Sequence, residues 1–190
     1  MGIWPVGKGS RLNRILTIRW SGQLTDGLFQ SALASFVLFS PERAPNAVSA
    51  ALAFSVVLLP YSLIGPYVGT FLDRFSRQRI IRNCNYLRAM NLLIIAWLIN
   101  NSSTGIILTL FVLFAFGVNR LILAGLSAGL PLLVKKQELI AANALAVTGG
   151  TIWVVIGGGI GIAIKNLLSQ SSNADFADAV VILVASAGFF

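Results

Sequence analysis

Long apolar runs, separated by short clusters of Arg, Asn, Ser and Pro, set the plan of this chain. The runs predict six helices: Ile15–Phe39, Ala47–Leu72, Ile80–Ile99, Ile106–Val134, Leu139–Leu168 and Ala177–Phe190. None alternates with the period of two that a membrane barrel strand requires, so the predicted class is all-α. Crossing a bilayer takes about 20 residues, and tilt absorbs the excess of the longer runs. The last run is shorter. From Ala177 to Phe190 a helix reaches about 21 Å, against a hydrocarbon core of about 30 Å. The expectation is five complete transmembrane helices and a truncated sixth, in a fragment of a longer chain. Residues 1–14 form a cytoplasmic N-terminal segment, and residues 15–190 one transmembrane half-domain.

Composition agrees with a bilayer as the solvent. Of the 190 residues, 56% are hydrophobic and 11% charged, and the mean hydropathy is +0.83. Soluble domains carry about 25% charged residues. The net charge of +8 raises nucleic acid as a partner. The arginines, however, sit in clusters between apolar runs and make no continuous basic face, so no nucleic acid is expected. The chain has no His, which removes imidazole proton relays, Ser-His-Asp triads and His-based zinc sites. Its single cysteine, Cys84, excludes an intrachain disulfide. No metal, no cofactor and no enzymatic activity are expected.

The basic clusters orient the spans. Eleven of the 14 Lys and Arg fall at the N-terminus, around the second-to-third connection or in the fourth-to-fifth connection. The other connections hold Arg43 and Lys165, and Arg120 lies within a span. By the positive-inside rule the N-terminus is cytoplasmic, in a multi-pass protein of the plasma or inner membrane.

The second-to-third connection carries Gly69-Thr70-Phe71-Leu72-Asp73-Arg74-Phe75-Ser76-Arg77-Gln78-Arg79. This run resembles the loop between the second and third transmembrane helices of the major facilitator superfamily. Gly69, Asp73, Arg74, Arg77 and Arg79 match the pattern, and Ser76 stands where the family has a second glycine. Asp26-Gly27-Leu28-Phe29-Gln30 is similar to the family's first helix, and Leu139-Ile140-Ala141-Ala142-Asn143 to the entry of its fifth. Gly157-Gly158-Gly159-Ile160-Gly161 resembles the glycine-rich motif of antiporter fifth helices, without its proline. Leu59-Pro60-Tyr61 and Asn119-Arg120 look like an actinobacterial, drug-efflux-like branch. The resemblance implies the N-terminal half of a twelve-helix fold built from inverted three-helix repeats. It also implies a conformational gate at Gly69, Asp73, Arg74, Arg77 and Arg79, with Asp73 against neighbouring arginines and a helix N-terminus of the opposite half.

Two charges fall near mid-span, Asp26 in the first run and Arg120 in the fourth. Each costs roughly 2.5–3.5 kcal/mol at the bilayer centre, so charges there are functional by default. In the family the first and fourth helices line the central cavity. The expectation is that Asp26 and Arg120 meet there, directly or through water, as coupling residues, with Gln23 and Gln30 adding polar contacts. Gly157 and Gly161 form a small-residue face for close helix packing. The reading that follows is a secondary transporter of a small solute by alternating access, with proton-coupled efflux as its form. Its partners are the lipid bilayer, the solute, and a missing C-terminal half or partner chain. The alternative is a non-transporting membrane protein that uses the half-fold to bind a partner or help assembly.

Overall fold

The computed structural model describes residues 10–38, 76–102, 106–169 and 173–189, and among these every regular element is helical. The elements are α1 (Ser10–Leu38), α2 (Arg77–Asn100), α3 (Ile106–Gly129), a 3-10 turn (Leu130–Leu132), α4 (Leu139–Ser169) and α5 (Ala174–Ala187). They correspond to the first, third, fourth, fifth and sixth apolar runs. The second run, Ala47–Leu72, lies outside the described residues, as do Gly69, Asp73 and Arg74 of the gate motif.

Each boundary has a local cause. α1 begins ahead of its apolar run because Leu12 and Leu16 continue the buried face, packing with Leu130, Ala142 and Ala146. α2 begins after Ser76, whose φ of −64° and ψ of 122° are extended. The Ser76 carbonyl accepts the amides of Arg79 and Ile80 at 2.9 and 3.1 Å. No left-handed turn is needed at that position, so serine sits there without the strain that would call for glycine. α3 stops five residues short of the expected Val134. Pro131 lies in the first turn of the 3-10 segment, where its missing amide does least harm. Ser102 closes the end of α2 in the left-handed region, with φ 50° and its amide bonded to the Ile99 carbonyl at 2.8 Å.

By length and composition, two stretches among the described residues are apolar enough to cross a membrane, Ile106–Leu132 and Leu139–Ser169. α5 has only 14 residues. α1 and α2 carry exposed polar residues in their N-terminal turns, Arg11, Arg14, Arg79 and Arg82 among them, and deeper along the helices Arg19, Asp26, Arg88 and Asn91 are buried and Gln23 half-buried. The outward face of α2 is apolar instead, through Leu87, Met90, Ile94 and Trp97 at helical spacing. Polarity turned inward and apolar side chains turned outward is the arrangement a lipid surround favours.

The central core joins four helices. Leu28, Phe29 and Ala32 of α1 meet Leu92, Ile95 and Ile99 of α2, Val112 and Phe116 of α3, and Val181 and Ile182 of α5. The Phe29 and Phe116 rings lie 5.8 Å apart at 49°. α1 packs most extensively on α4, and there the two backbones touch. A methyl group on Gly157 would collide with the Leu24 carbonyl, and one on Gly27 with the Val154 carbonyl. A methyl on Gly161 would strike the Ser31 side chain. Lipid offers no hydrophobic drive for helices to associate, so close van der Waals approach carries more of the work. Gly159, two residues away, faces open space.

This contrast predicts opposite effects from one substitution. Gly157→Ala forces α1 and α4 apart and is expected to lower stability by about 1–3 kcal/mol, the usual range for overpacking. Gly159→Ala relieves a helix-interior glycine and is expected to be neutral or stabilising by up to about 1 kcal/mol. Thermal melts of the two variants in detergent check both signs.

Candidate functional site

The middle of the bundle holds a charged cluster. Asp26 of α1 and Arg88 of α2 are each 1% exposed, and their side chains form an ion pair. Arg88 Nη1 also donates to Asn119 Oδ1 on α3 at 2.9 Å. The guanidinium lies over the Phe189 ring, 4.4 Å from its centroid. One arginine thus ties α1, α2 and α3 together and rests on the residue just past α5. Neighbouring polar links add to it. Asn91 donates to the Phe111 carbonyl at 2.9 Å, and Arg19 Nη1 donates to Ser127 Oγ at 2.9 Å.

The local sequence explains these placements. Arg88 lies eleven residues into α2, about 16 Å along its axis. Arg19, Asp26 and Thr25 all fall on the buried side of α1, and Arg19 and Asp26 are two turns apart on one face. A cavity of about 170 Å³ opens beside the cluster. Its wall includes Arg19, Ser21, Asp26, Asn85, Arg88 and Asn119.

The expected partner of Asp26 was Arg120, and the structure gives Arg88 instead. Successive residues on a helix point about 100° apart. Asn119 faces the cluster, so its neighbour Arg120 is turned to an exposed position and is not in the described cavity wall. Arg88 escaped the sequence reading because it was counted with the cytoplasmic basic flank; its depth within the third run was the available signal. Gln23 is half-buried and lies beside Gly150 of α4, while Gln30, one turn from Asp26, is exposed. Arg77 opens α2, and Arg79 is exposed in its first turn. Gly157 and Gly161 face α1 as described above.

A second buried carboxylate, Asp178 of α5, was also missed. It is 1% exposed and accepts a bond from Lys165 Nζ of α4 at 3.1 Å. Ser102 Oγ donates to Asp175 Oδ2 at 2.5 Å, linking the end of α2 to the first turn of α5. These contacts lie one turn or less from the start of α5, far from the central cluster.

Comparison with known proteins places this architecture. The chain is 34% identical over 172 residues to an uncharacterized MFS-type transporter of Mycobacterium bovis, and equally to one of Mycobacterium tuberculosis. The chain is homologous to MFS-type transporters, and like them it is a membrane protein. The match covers 90% of this chain and 38% of each relative, so the chain spans about two fifths of their length. No family model matches, and no solved structure does.

The central ion pair of this MFS-related chain makes a clear energetic prediction. Removing one member of a buried pair leaves the other charge uncompensated and typically costs about 3–5 kcal/mol. Asp26→Asn and Arg88→Met are each expected to fall in that range, and the double variant to cost less than either. Chemical denaturation of the four proteins in a double-mutant cycle measures the coupling.

Proposed function

We propose that this chain is the N-terminal six-helix half of a major facilitator carrier that moves a small solute by alternating access, with the Asp26–Arg88 pair as its coupling element. The observation that supports this most is a buried carboxylate and guanidinium in the wall of a cavity, joined across three helices. Charges of that kind are costly in a membrane and are functional there by default. Protonating Asp26 would remove the counter-charge of Arg88 and change the balance between conformations that bury or expose the site.

The N-terminus is cytoplasmic in this reading. Arg19 and Arg88 are buried and do not count as loop charges. The remaining basic residues still favour the same side, so the orientation keeps its sign. Arg77 and Arg79 at the start of α2, with Gly69, Asp73 and Arg74 before them, form the cytoplasmic gate. Efflux across the plasma or inner membrane is the direction implied by the resemblance to a drug-efflux-like branch. The solute and the remainder of the carrier are its partners, together with the lipid.

Alternating access is testable without knowing the solute. On a cysteine-free background of the full-length protein, Cys84→Ser included, Ser21→Cys places one thiol in the cavity wall. An impermeant maleimide is applied to right-side-out and to inverted vesicles. The expected result is labelling from both faces, with relative rates that shift with pH, and loss of that pH shift when Asp26→Asn is added. Labelling from a single face at every pH would mean a static half-fold, and the carrier reading would fail.

A further inference from the structure

The cavity beside Asp26 carries an unbalanced charge. Its described wall holds two guanidiniums, Arg19 and Arg88, and one carboxylate, Asp26. Arg88 takes that carboxylate. Arg19 is 8% exposed, and its partner among the described residues is the neutral Ser127 hydroxyl. The Nε atoms of both arginines are buried without a hydrogen-bond partner, as is Asp26 Oδ1, whose charge is met by the ion pair with Arg88. A charge that is this far from water and faces only a neutral hydroxyl is electrostatically incomplete. Among the described residues of the wall, one positive charge is left without a counter-charge.

Size narrows the choice. A cavity of about 170 Å³ is close to the roughly 150 Å³ of an engineered apolar cavity that accepts benzene. Part of this wall is apolar too, through Ile122, Leu126 and Phe189. Arginine favours carboxylate through its planar fork of N–H donors. We infer that this cavity is a binding site for a small organic monocarboxylate, with Arg19 as its charge partner and the apolar side of the wall taking the carbon skeleton. The inference rests on the carrier reading for its purpose, and names the class of solute that reading leaves open.

Binding can be measured apart from transport. Benzoate, benzylamine and inorganic phosphate are titrated into the detergent-solubilised full-length protein by calorimetry, with thermal stabilisation as a second readout. Benzoate is expected to bind and to raise the melting temperature, and benzylamine, of the same size and opposite charge, to do neither. Arg19→Gln is expected to weaken benzoate at least tenfold, and Arg19→Lys, which keeps the charge without the planar fork, to weaken it less than Arg19→Gln does. Should Arg19→Gln fail to fold, the preference for benzoate over benzylamine in the unmodified protein decides alone. Equal or tighter binding of benzylamine, undiminished benzoate binding in Arg19→Gln, or binding of phosphate without benzoate would each overturn the assignment. Because no step of this test requires transport, benzoate binding with one-sided maleimide labelling would sink the carrier reading and leave the site standing. Two-sided labelling without benzoate binding would do the reverse.

Discussion

A guanidinium at the centre of a helix bundle must be answered from every side, and Arg88 organises its surroundings for that reason. Asp26 supplies the counter-charge, Asn119 an acceptor and Phe189 a π-face. These groups come from α1, α3 and the segment after α5, so satisfying one side chain fixes four pieces of backbone relative to one another. Apolar contacts alone would not do this in lipid, where the surrounding tails are as apolar as Leu. A Leu-rich helix can slide by a turn and lose little. Arg88 cannot slide without leaving either its charge or that of Asp26 unpaired, at a cost of several kcal/mol. The ion pair contributes depth and register more than net stability.

α1 is the element on which both kinds of constraint converge. On one side it meets α4 so closely that Gly27 and Gly157 have no room for a side chain. On another it reaches α2 through Asp26 and α3 through Arg19. The backbone contact is blind to charge, whereas the polar contacts depend on it. A change of protonation at Asp26 would loosen α1 from α2 while leaving its seam with α4 intact. The pair α1–α4 would then move as one piece against α2 and α3, the kind of discrete rearrangement that a rigidly packed interface permits.

The periodic and punctuating residues made the helices legible. Asn173 and the Asn100–Ser102 stretch mark ends in the sequence and in the structure, whereas Pro131 lies inside the predicted fourth run and the helix stops before it. Asp26 was legible as a charge that needs a partner, because a carboxylate deep in an apolar run has no cheap explanation, and it is buried in an ion pair. Its partner was not, for two physical reasons. Hydropathy reports how deep a residue lies and says nothing of the direction it faces, so Arg120 and Asn119 read alike although one helical step separates outward from inward. The positive-inside rule also invites every Arg near a basic loop to be counted with that loop, and Arg88 and Arg19 are drawn into the count although each sits well inside its helix. Asp178 was overlooked in the same way, as a residue near the end of a short run. What the sequence lacked in each case was the rotational setting of the helix, which tertiary packing decides.

Arg19 and Asp26 share one face of α1, two turns and about 10 Å apart along the axis. The cavity wall includes both, and this has a consequence for coupling. With Asp26 ionised, the three charges of the described wall sum to one positive; with Asp26 protonated, they sum to two. In a site of low effective dielectric that extra charge would strengthen the hold on an anion, and by linkage a bound anion would make Asp26 easier to protonate. Proton and anion would then favour each other's presence, which is the thermodynamic condition for moving together. Exchange requires the opposite, a site at which each expels the other. That coupling would follow from one arrangement: the carboxylate that takes the proton is paired with one arginine and shares the cavity wall with a second, whose partner among the described residues is a hydroxyl.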